Sequence, residues 1–558
     1  MRPTLPLVLL FAAPLAAQTT AAPPPTPPHV VIDTHGPDGW RQRLGPTNLG
    51  TMLESEKGKK LWQPYAETLF AVWREAAGGD EPFAAARARA LAYGGRIRIG
   101  IWLPPAVQLI GPGEATAIAA VLEPDGRSDL AAIGDDLTAT IEHSLPGEWT
   151  AVKGDDGVER RARSGDGKLV TAPFLIDGKL VIAAAEEEQI AAALGHARAL
   201  AGTKSEPVSP LSPALQIRFD FPAIVAAGLG AAGNDQRDFM SAIGLPGLGA
   251  GTFSVSTAGP RVLVEYAQGF SGDDRGIFAA LMPDTPTVPT LLAARPEKGF
   301  WTVGHFDLQK LYNSILTAVC KMENEDLDAT RAKIVEECGI DPDVDLLAHA
   351  TDDVMVWAPE TEGAEESPLR TNWVLTFRLR DEVAFRKGLF ALLPKARPFM
   401  QRERSEKHDD VEIFRYGNML SYDLWLAAGH GVFVVSGGHD AQEHLEEMLD
   451  HCAKLPATLA ADLVVPADFA PLKRYLPPGC HGYSLGDASQ VASMPALVWD
   501  DLFGLWRFAP LGSKPPEDPE EAETRRKETV ELLREHRLDV ARSATGYADR
   551  TWRYRFYW

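Results

Sequence analysis

Residues 169–200 read LVTAPFLIDGKLVIAAAEEEQIAAALGHARAL, and this stretch decides the fold class. Leu169 to Ile176 is an apolar run of strand length, and Leu180 to Ala184 is a second one. Between them Asp177-Gly178-Lys179 carries the Asp-Gly pair that tight hairpin turns favour, because glycine accepts positive φ. Glu186 to Leu200 then opens on acids and keeps its apolar residues at helical spacing. Strands joined by so short a turn run antiparallel, since a parallel pair needs a crossover of a dozen or more residues. The stretch predicts a hairpin followed by an amphipathic helix.

The same order is written again at 419–455, MLSYDLWLAAGHGVFVVSGGHDAQEHLEEMLDHCAKL. Met419 to Leu426, Gly429-His430-Gly431, Val432 to Ser436 and a helix from Asp440 to Leu455 match the earlier strand, turn, strand and helix. Upstream, Thr116 to Leu122 leads to a helix at Asp129 to Ile141, as Trp373 to Leu379 leads to one at Asp381 to Leu393. Such self-similarity predicts α+β architecture: tandem units of antiparallel sheet with helices packed on one face. The expected units span 30–202 and 299–456. A connecting strand-helix-strand module fills 203–298, and 457–558 is a C-terminal partial unit with a charged helix and a final aromatic strand.

A smaller module recurs, a short alternating strand with an aspartate near its end: Leu215 to Asp220, Phe300 to Val303 with Asp307, and Tyr483 to Leu485 with Asp487. An aspartate at a helix start accepts hydrogen bonds from unpaired backbone N–H groups, so these three read as caps rather than catalytic acids. After Asp307, residues Leu308, Leu311, Tyr312, Ile315, Leu316 and Val319 mark a helix with one buried face. The charged C-terminal helix is expected over Glu520 to Val540, beyond a Pro-rich stretch at Lys514 to Asp518.

Arg2, the apolar Leu5 to Ala13 and the small-residue Leu15-Ala16-Ala17 read as a signal peptide over 1–17, with the mature chain starting near Gln18. A Pro-rich linker, 18–29, joins it to the fold. The apolar run is shorter than the roughly 20 residues a membrane span needs, and no transmembrane anchor is expected. With 55 basic against 77 acidic side chains the formal charge is −22, which argues against nucleic acid and anionic lipid as partners and for solubility, and with the signal peptide a periplasmic or secreted protein is expected.

Thr47-Asn48-Leu49-Gly50-Thr51-Met52-Leu53, and Cys338-Gly339-Ile340-Asp341 running into Val344-Asp345-Leu346-Leu347, give the chain a further likeness. In rhythm it resembles a family of large secreted bacterial proteins with a repeated α+β domain of unknown function. The resemblance implies export and repetition, and no catalytic residues.

Isolated motifs read as structure. Asp33-Thr34-His35 looks faintly like the opening metal ligands of an amidohydrolase, but the later ligands of that fold are not evident, so a strand end is expected. His439, His444, Glu447 and His451 share one helix whose apolar stripe, Leu445, Met448, Leu449 and Cys452, leaves them at its flank. Gly228, Gly230 and Gly233 spell GxGxxG after a helical run, where a dinucleotide site would need a preceding strand. Trp552, Tyr554, Phe556 and Trp558 alternate as in an outer-membrane barrel's last strand, yet helical periodicity elsewhere favours a core-covering strand.

No catalytic, cofactor or metal residue is assigned, and GxSxG, HExxH, CxxC and P-loop motifs are absent from the sequence. The four cysteines fall in the second half. Helix lengths separate Cys320 from Cys338, which leaves Cys452 with Cys480 as the possible disulfide, against four buried free thiols. The expectation is a non-enzymatic binding or structural role in the cell envelope with an unknown envelope or extracellular partner. The alternative is an exported hydrolase with a site in a cleft between the repeated units.

Overall fold

The computed structural model describes residues 28–102, 117–144, 147–153, 159–163, 169–186, 190–202, 213–231, 233–271, 275–283, 287–359, 372–395, 400–418, 423–438, 440–455, 467–487 and 519–558. The signal peptide, the linker up to residue 27, His439 and Lys514 to Asp518 lie outside them.

Ten strands precede residue 271: β1 (Val30–His35), β2 (Arg96–Trp102), β3 (Ala117–Leu122), β4 (Trp149–Lys153), β5 (Glu159–Arg163), β6 (Leu169–Ile176), β7 (Lys179–Glu186), β8 (Leu215–Phe219), β9 (Leu248–Ala258) and β10 (Arg261–Phe270). Ten follow residue 299: β11 (Phe300–His305), β12 (Ala350–Ala358), β13 (Trp373–Leu379), β14 (Met400–His408), β15 (Val411–Asn418), β16 (Asp423–Gly429), β17 (Val432–Gly437), β18 (Cys480–Asp487), β19 (Val540–Ala548) and β20 (Thr551–Tyr557). All belong to one 20-stranded sheet, and every pairing is antiparallel.

Followed through its pairings, the sheet runs β4-β5-β6-β7-β3-β2-β1-β8-β9-β10, then β20-β19-β18-β11-β12-β13-β17-β16-β15-β14. Read outward from the β10–β20 junction, the two halves follow one order of strands. At that junction Tyr266 lies opposite Tyr554, and Arg555 pairs with Glu265.

The described residues form thirteen α-helices: α1 (Pro37–Leu44), α2 (Asn48–Glu54), α3 (Glu56–Ala76), α4 (Asp80–Ala92), α5 (Leu130–Ser144), α6 (Ile190–Gly202), α7 (Phe221–Ala231), α8 (Asn234–Ala242), α9 (Leu308–Glu323), α10 (Leu327–Cys338), α11 (Glu382–Leu392), α12 (Ala441–Ala453) and α13 (Pro519–Glu535). The quoted stretch forms as its residues dictate. Asp177 at φ 49° and Gly178 at φ 75° turn β6 into β7, and His430 at φ 54° with Gly431 at φ 72° does the same for β16 and β17. Two consecutive positive-φ residues match the turn to the right-handed twist of its strands.

Helices cover both faces of the sheet, not the one face expected. The reason lies in β3, an apolar run buried along its whole length. Alternate side chains of a strand point to opposite faces, so Ile118, Ala120 and Leu122 pack with Leu130, Ile133 and Leu137 of α5. Ala117, Ala119 and Val121 pack with Ile190, Ala193 and Leu194 of α6 on the other side. The second half does likewise, with Leu445, Met448 and Leu449 of α12 over Trp425 and Ala427. Phe385 and Leu389 of α11 cover Ala428 on the reverse face.

One further boundary shifts, and the final aromatic strand covers a core as its alternation predicts. The charged helix stops at Glu535 instead of Val540: Arg537 takes φ 57°, Leu538 N–H donates to Leu533 O at 2.8 Å, and Val540 opens β19. The aromatic strand β20 lies inside the sheet between β10 and β19, with Phe556 and Trp558 against the Leu532–Leu533 core. Strands of the connecting module and of the C-terminal segment continue the same sheet through the β1–β8 and β11–β18 pairings.

Candidate functional site

Strand β11 alternates half-buried and buried residues and ends on His305, which is 9% exposed. Asp307 accepts a hydrogen bond from Lys310 N–H at 2.9 Å and starts α9, as its sequence position predicts. The strand beside it, β12, enters through Thr351-Asp352-Asp353. In a regular strand two consecutive aspartates would face opposite sides of the sheet. Here the β12–β13 register shifts between Ala350 and Val354, and both carboxylates reach one imidazole.

His305 Nε2 stands 2.9 Å from the Thr287 carbonyl oxygen and 3.1 Å from Thr287 Oγ1. A carbonyl only accepts, so Nε2 carries the hydrogen. His305 Nδ1 lies 3.2 Å from Asp352 Oδ2 and 3.2 Å from Asp353 Oδ1, close enough for ion pairs, yet it makes no aligned hydrogen bond. The second oxygen of Asp353 is fixed by Thr290, whose N–H donates at 2.7 Å and whose hydroxyl donates as well. Asp353 is 4% exposed, whereas the Asp352 side chain is 42% exposed and faces solvent. Burial pulls the His305 pKa down, but the Asp352 and Asp353 carboxylates outweigh it and raise it above the ordinary histidine value. Asp352 is lowered in turn, chiefly by His305. His481, 2% exposed and 6.1 Å away between ring centroids, is lowered by burial.

Thr287, His305 and Asp352 border a cavity of about 340 Å³ that Asp307, Lys310, Thr351 and Arg380 also line, so it offers both signs of charge. Its lining runs from Ala280 to Arg380, so it joins the end of the 203–298 segment to the second half. The first half has a larger groove of about 760 Å³ between α1, α2, α3 and α4, where Trp40, Leu44, Leu53 and Phe70 contribute apolar surface. The groove is built wholly by the connection between β1 and β2, whereas the His305 cavity draws on the segment before β11, on β11 and β12, on the start of α9 and on Arg380.

The sequence candidates fall into place as structure. Asp33 forms a two-pronged pair with Arg96, whose Nη2 is 2.5 Å from Oδ2, and Arg98 Nε stands 3.6 Å away. Arg98, itself buried, reaches Glu123 at 2.8 Å. His35 is pushed down to about 4, first by burial and then by Arg43. His444 packs edge-on against Trp357, apart from the His451–Glu447 pair at 3.7 Å. Gly228 and Gly230 sit inside α7, and Gly233 precedes α8. Asp220 caps α7 through Ala223 N–H at 3.1 Å, while Asp487 ends β18.

All four cysteines are free thiols, so the Cys452–Cys480 bridge left open by the sequence is not formed here. Cys452 is buried in the α12 core, where burial pushes its thiol up to about 12, and Cys480 borders the same core. Sequence reading took Asp307 alone from the His305 region and missed His305, Asp352 and Asp353. The available signal was two adjacent acids at the mouth of the apolar run Val354-Met355-Val356-Trp357. Among the described residues a second group, His408, Asp409 and Asp450, lies on the surface, with His408 Nε2 2.8 Å from Asp450 Oδ1.

No protein-family model and no curated protein matches this chain. A solved structure, crystal form III of TP0453, is similar to it at a TM-score of 0.21 and 8% identity, over 47% of this chain and 87% of that one. A likeness this slight bears on neither fold nor function.

Proposed function

We propose that this chain is an exported, non-enzymatic binding protein made of two copies of one α+β unit, and that the His305 cavity is where it takes a small charged ligand. The observation that carries this reading is the cavity's lining: the buried His305 imidazole beside the Asp352 carboxylate, together with Asp307, Lys310 and Arg380. Convergent polar groups in a concave site are what fixes an ionic ligand. The shared strand order of the two halves supports duplication. Export rests on the signal-like first seventeen residues and on the resemblance to secreted proteins. Among the described residues no helix is long and apolar enough to cross a membrane.

The second reading, an exported hydrolase, draws on the same histidine, because an imidazole oriented by carboxylates is the usual general base. Thermal-shift screening of the mature chain with small carboxylates, phosphates, amines and amino acids tests the first reading. A ligand whose shift disappears in Asp352→Asn, with no turnover of ester, phosphoester or peptide substrates, is the expected result. Turnover that Asp352→Asn abolishes would replace binding with hydrolysis.

A further inference from the structure

We infer that His305 Nδ1, Asp352 Oδ2 and Asp353 Oδ1 form a binding site for one divalent transition-metal ion of the zinc or manganese class. The inference rests on reading this cavity as a ligand site and names what its floor holds. The Thr287 carbonyl takes the Nε2 hydrogen, so Nδ1 is the ring atom that faces two carboxylate oxygens 3.2 Å away. With Nδ1 deprotonated, as a metal ligand must be, three acceptors converge on one point, and Nδ1 is a buried atom with no aligned hydrogen bond. A cation at their centre resolves that arrangement.

The spacing suits a metal. Ligand atoms about 2.0–2.2 Å from an ion are about 3.0 Å apart in octahedral geometry and about 3.4 Å apart in tetrahedral geometry. The two measured separations of 3.2 Å fall between these values, and all three ligand atoms lie within 4.8 Å of one another. The outer groups also fit. A metal-bound histidine donates its other N–H to a carbonyl or carboxylate, which Thr287 supplies here, and ligating carboxylates are themselves hydrogen-bonded, as Asp353 is by Thr290. One nitrogen and two carboxylate oxygens select borderline first-row ions over calcium, which prefers six to eight oxygens. The remaining coordination positions open into the cavity, where an anionic group of a ligand would complete them.

Equilibrium dialysis of chelator-treated mature protein against ZnCl₂ and MnCl₂, with CaCl₂ and MgCl₂ alongside, tests the site by metal content per chain. The expected result is one tightly held zinc or manganese ion per chain. Asp352→Asn should weaken retention by about a hundredfold or more, and Thr290→Ala, which frees the Asp353 carboxylate, by about ten- to a hundredfold. The Asp352 side chain is 42% exposed, so this variant folds even if His305→Gln does not. His408→Ala, in the surface group, should leave retention unchanged. Native protein that retains neither ion, or retention that survives Asp352→Asn and is lost in His408→Ala, overturns the proposal. An organic ligand that still shifts the melting of the metal-free protein would preserve the binding reading while this one falls.

Discussion

The strand that opens each half of the sheet ends on a histidine, and the two histidines meet opposite electrostatic surroundings. His35 lies opposite Arg96 in the β1–β2 register, and burial together with Arg43 holds it neutral. His305 lies opposite Asp353 in the β11–β12 register, and carboxylates hold it above the ordinary histidine value. The difference teaches how one backbone plan carries two kinds of site. The same pairing places a histidine at the same strand end, and its neighbours decide its proton: burial and Arg43 for His35, the Asp352 and Asp353 carboxylates for His305. Beyond the strands, four helices make an apolar groove in the first half, while the first turn of α9 lines a polar cavity together with β11 and β12.

The sharpest way to break this comparison is to delete each facing residue. Asp353→Ala removes the acceptor for Thr290 N–H and one of the two carboxylates beside a buried imidazole, and should cost about 3–5 kcal/mol. Arg96→Ala should cost less, about 1–3 kcal/mol, because Arg98 at 3.6 Å still neutralises Asp33. Urea transitions of the two variants give the order, and an equal loss from both would mean that the remaining Asp352 carboxylate compensates in the second half as Arg98 does in the first.

The proton inventory sharpens it further. The folded-state pKa of His35 is about 4, below its unfolded value of 6.5, so the unfolded chain binds the extra proton between these two pH values. Stability should therefore fall as pH drops from 6.5 toward 4, and His35→Gln should flatten that part of the curve. Melting temperatures at half-unit pH intervals provide the check. An acid limb identical in the native protein and the variant would show that His35 is not held neutral.

The smallest effects should be equal in the two halves. Gly178 at φ 75° and Gly431 at φ 72° each have open space where a Cβ would go, so alanine at either costs only left-handed backbone strain, about 1 kcal/mol. Chemical denaturation of Gly178→Ala and Gly431→Ala should give matching losses. A loss in one half several times that in the other would break the correspondence between the two hairpins.

The sequence by itself determined the local pieces, because their causes are local. Asp-Gly and His-Gly placed the two hairpin turns, Asp220 and Asp307 placed two helix starts, and apolar periodicity placed α6, α9 and α12. The misplaced helix end at Val540 shows the limit: Arg537 adopts a left-handed conformation that its side chain does not announce. Only the tertiary structure decided the course of the sheet, since its twenty strands are ordered by contacts between residues as far apart as Glu265 and Arg555. It also decided that β3 is buried on both faces, because an apolar hexapeptide does not record what will cover it. The site belongs to this second class. His305 and Asp353 are 48 positions apart in sequence, and an irregular register at β12 turns two neighbouring aspartates toward one imidazole. Residue spacing carries no trace of such a geometry until strand pairing creates it.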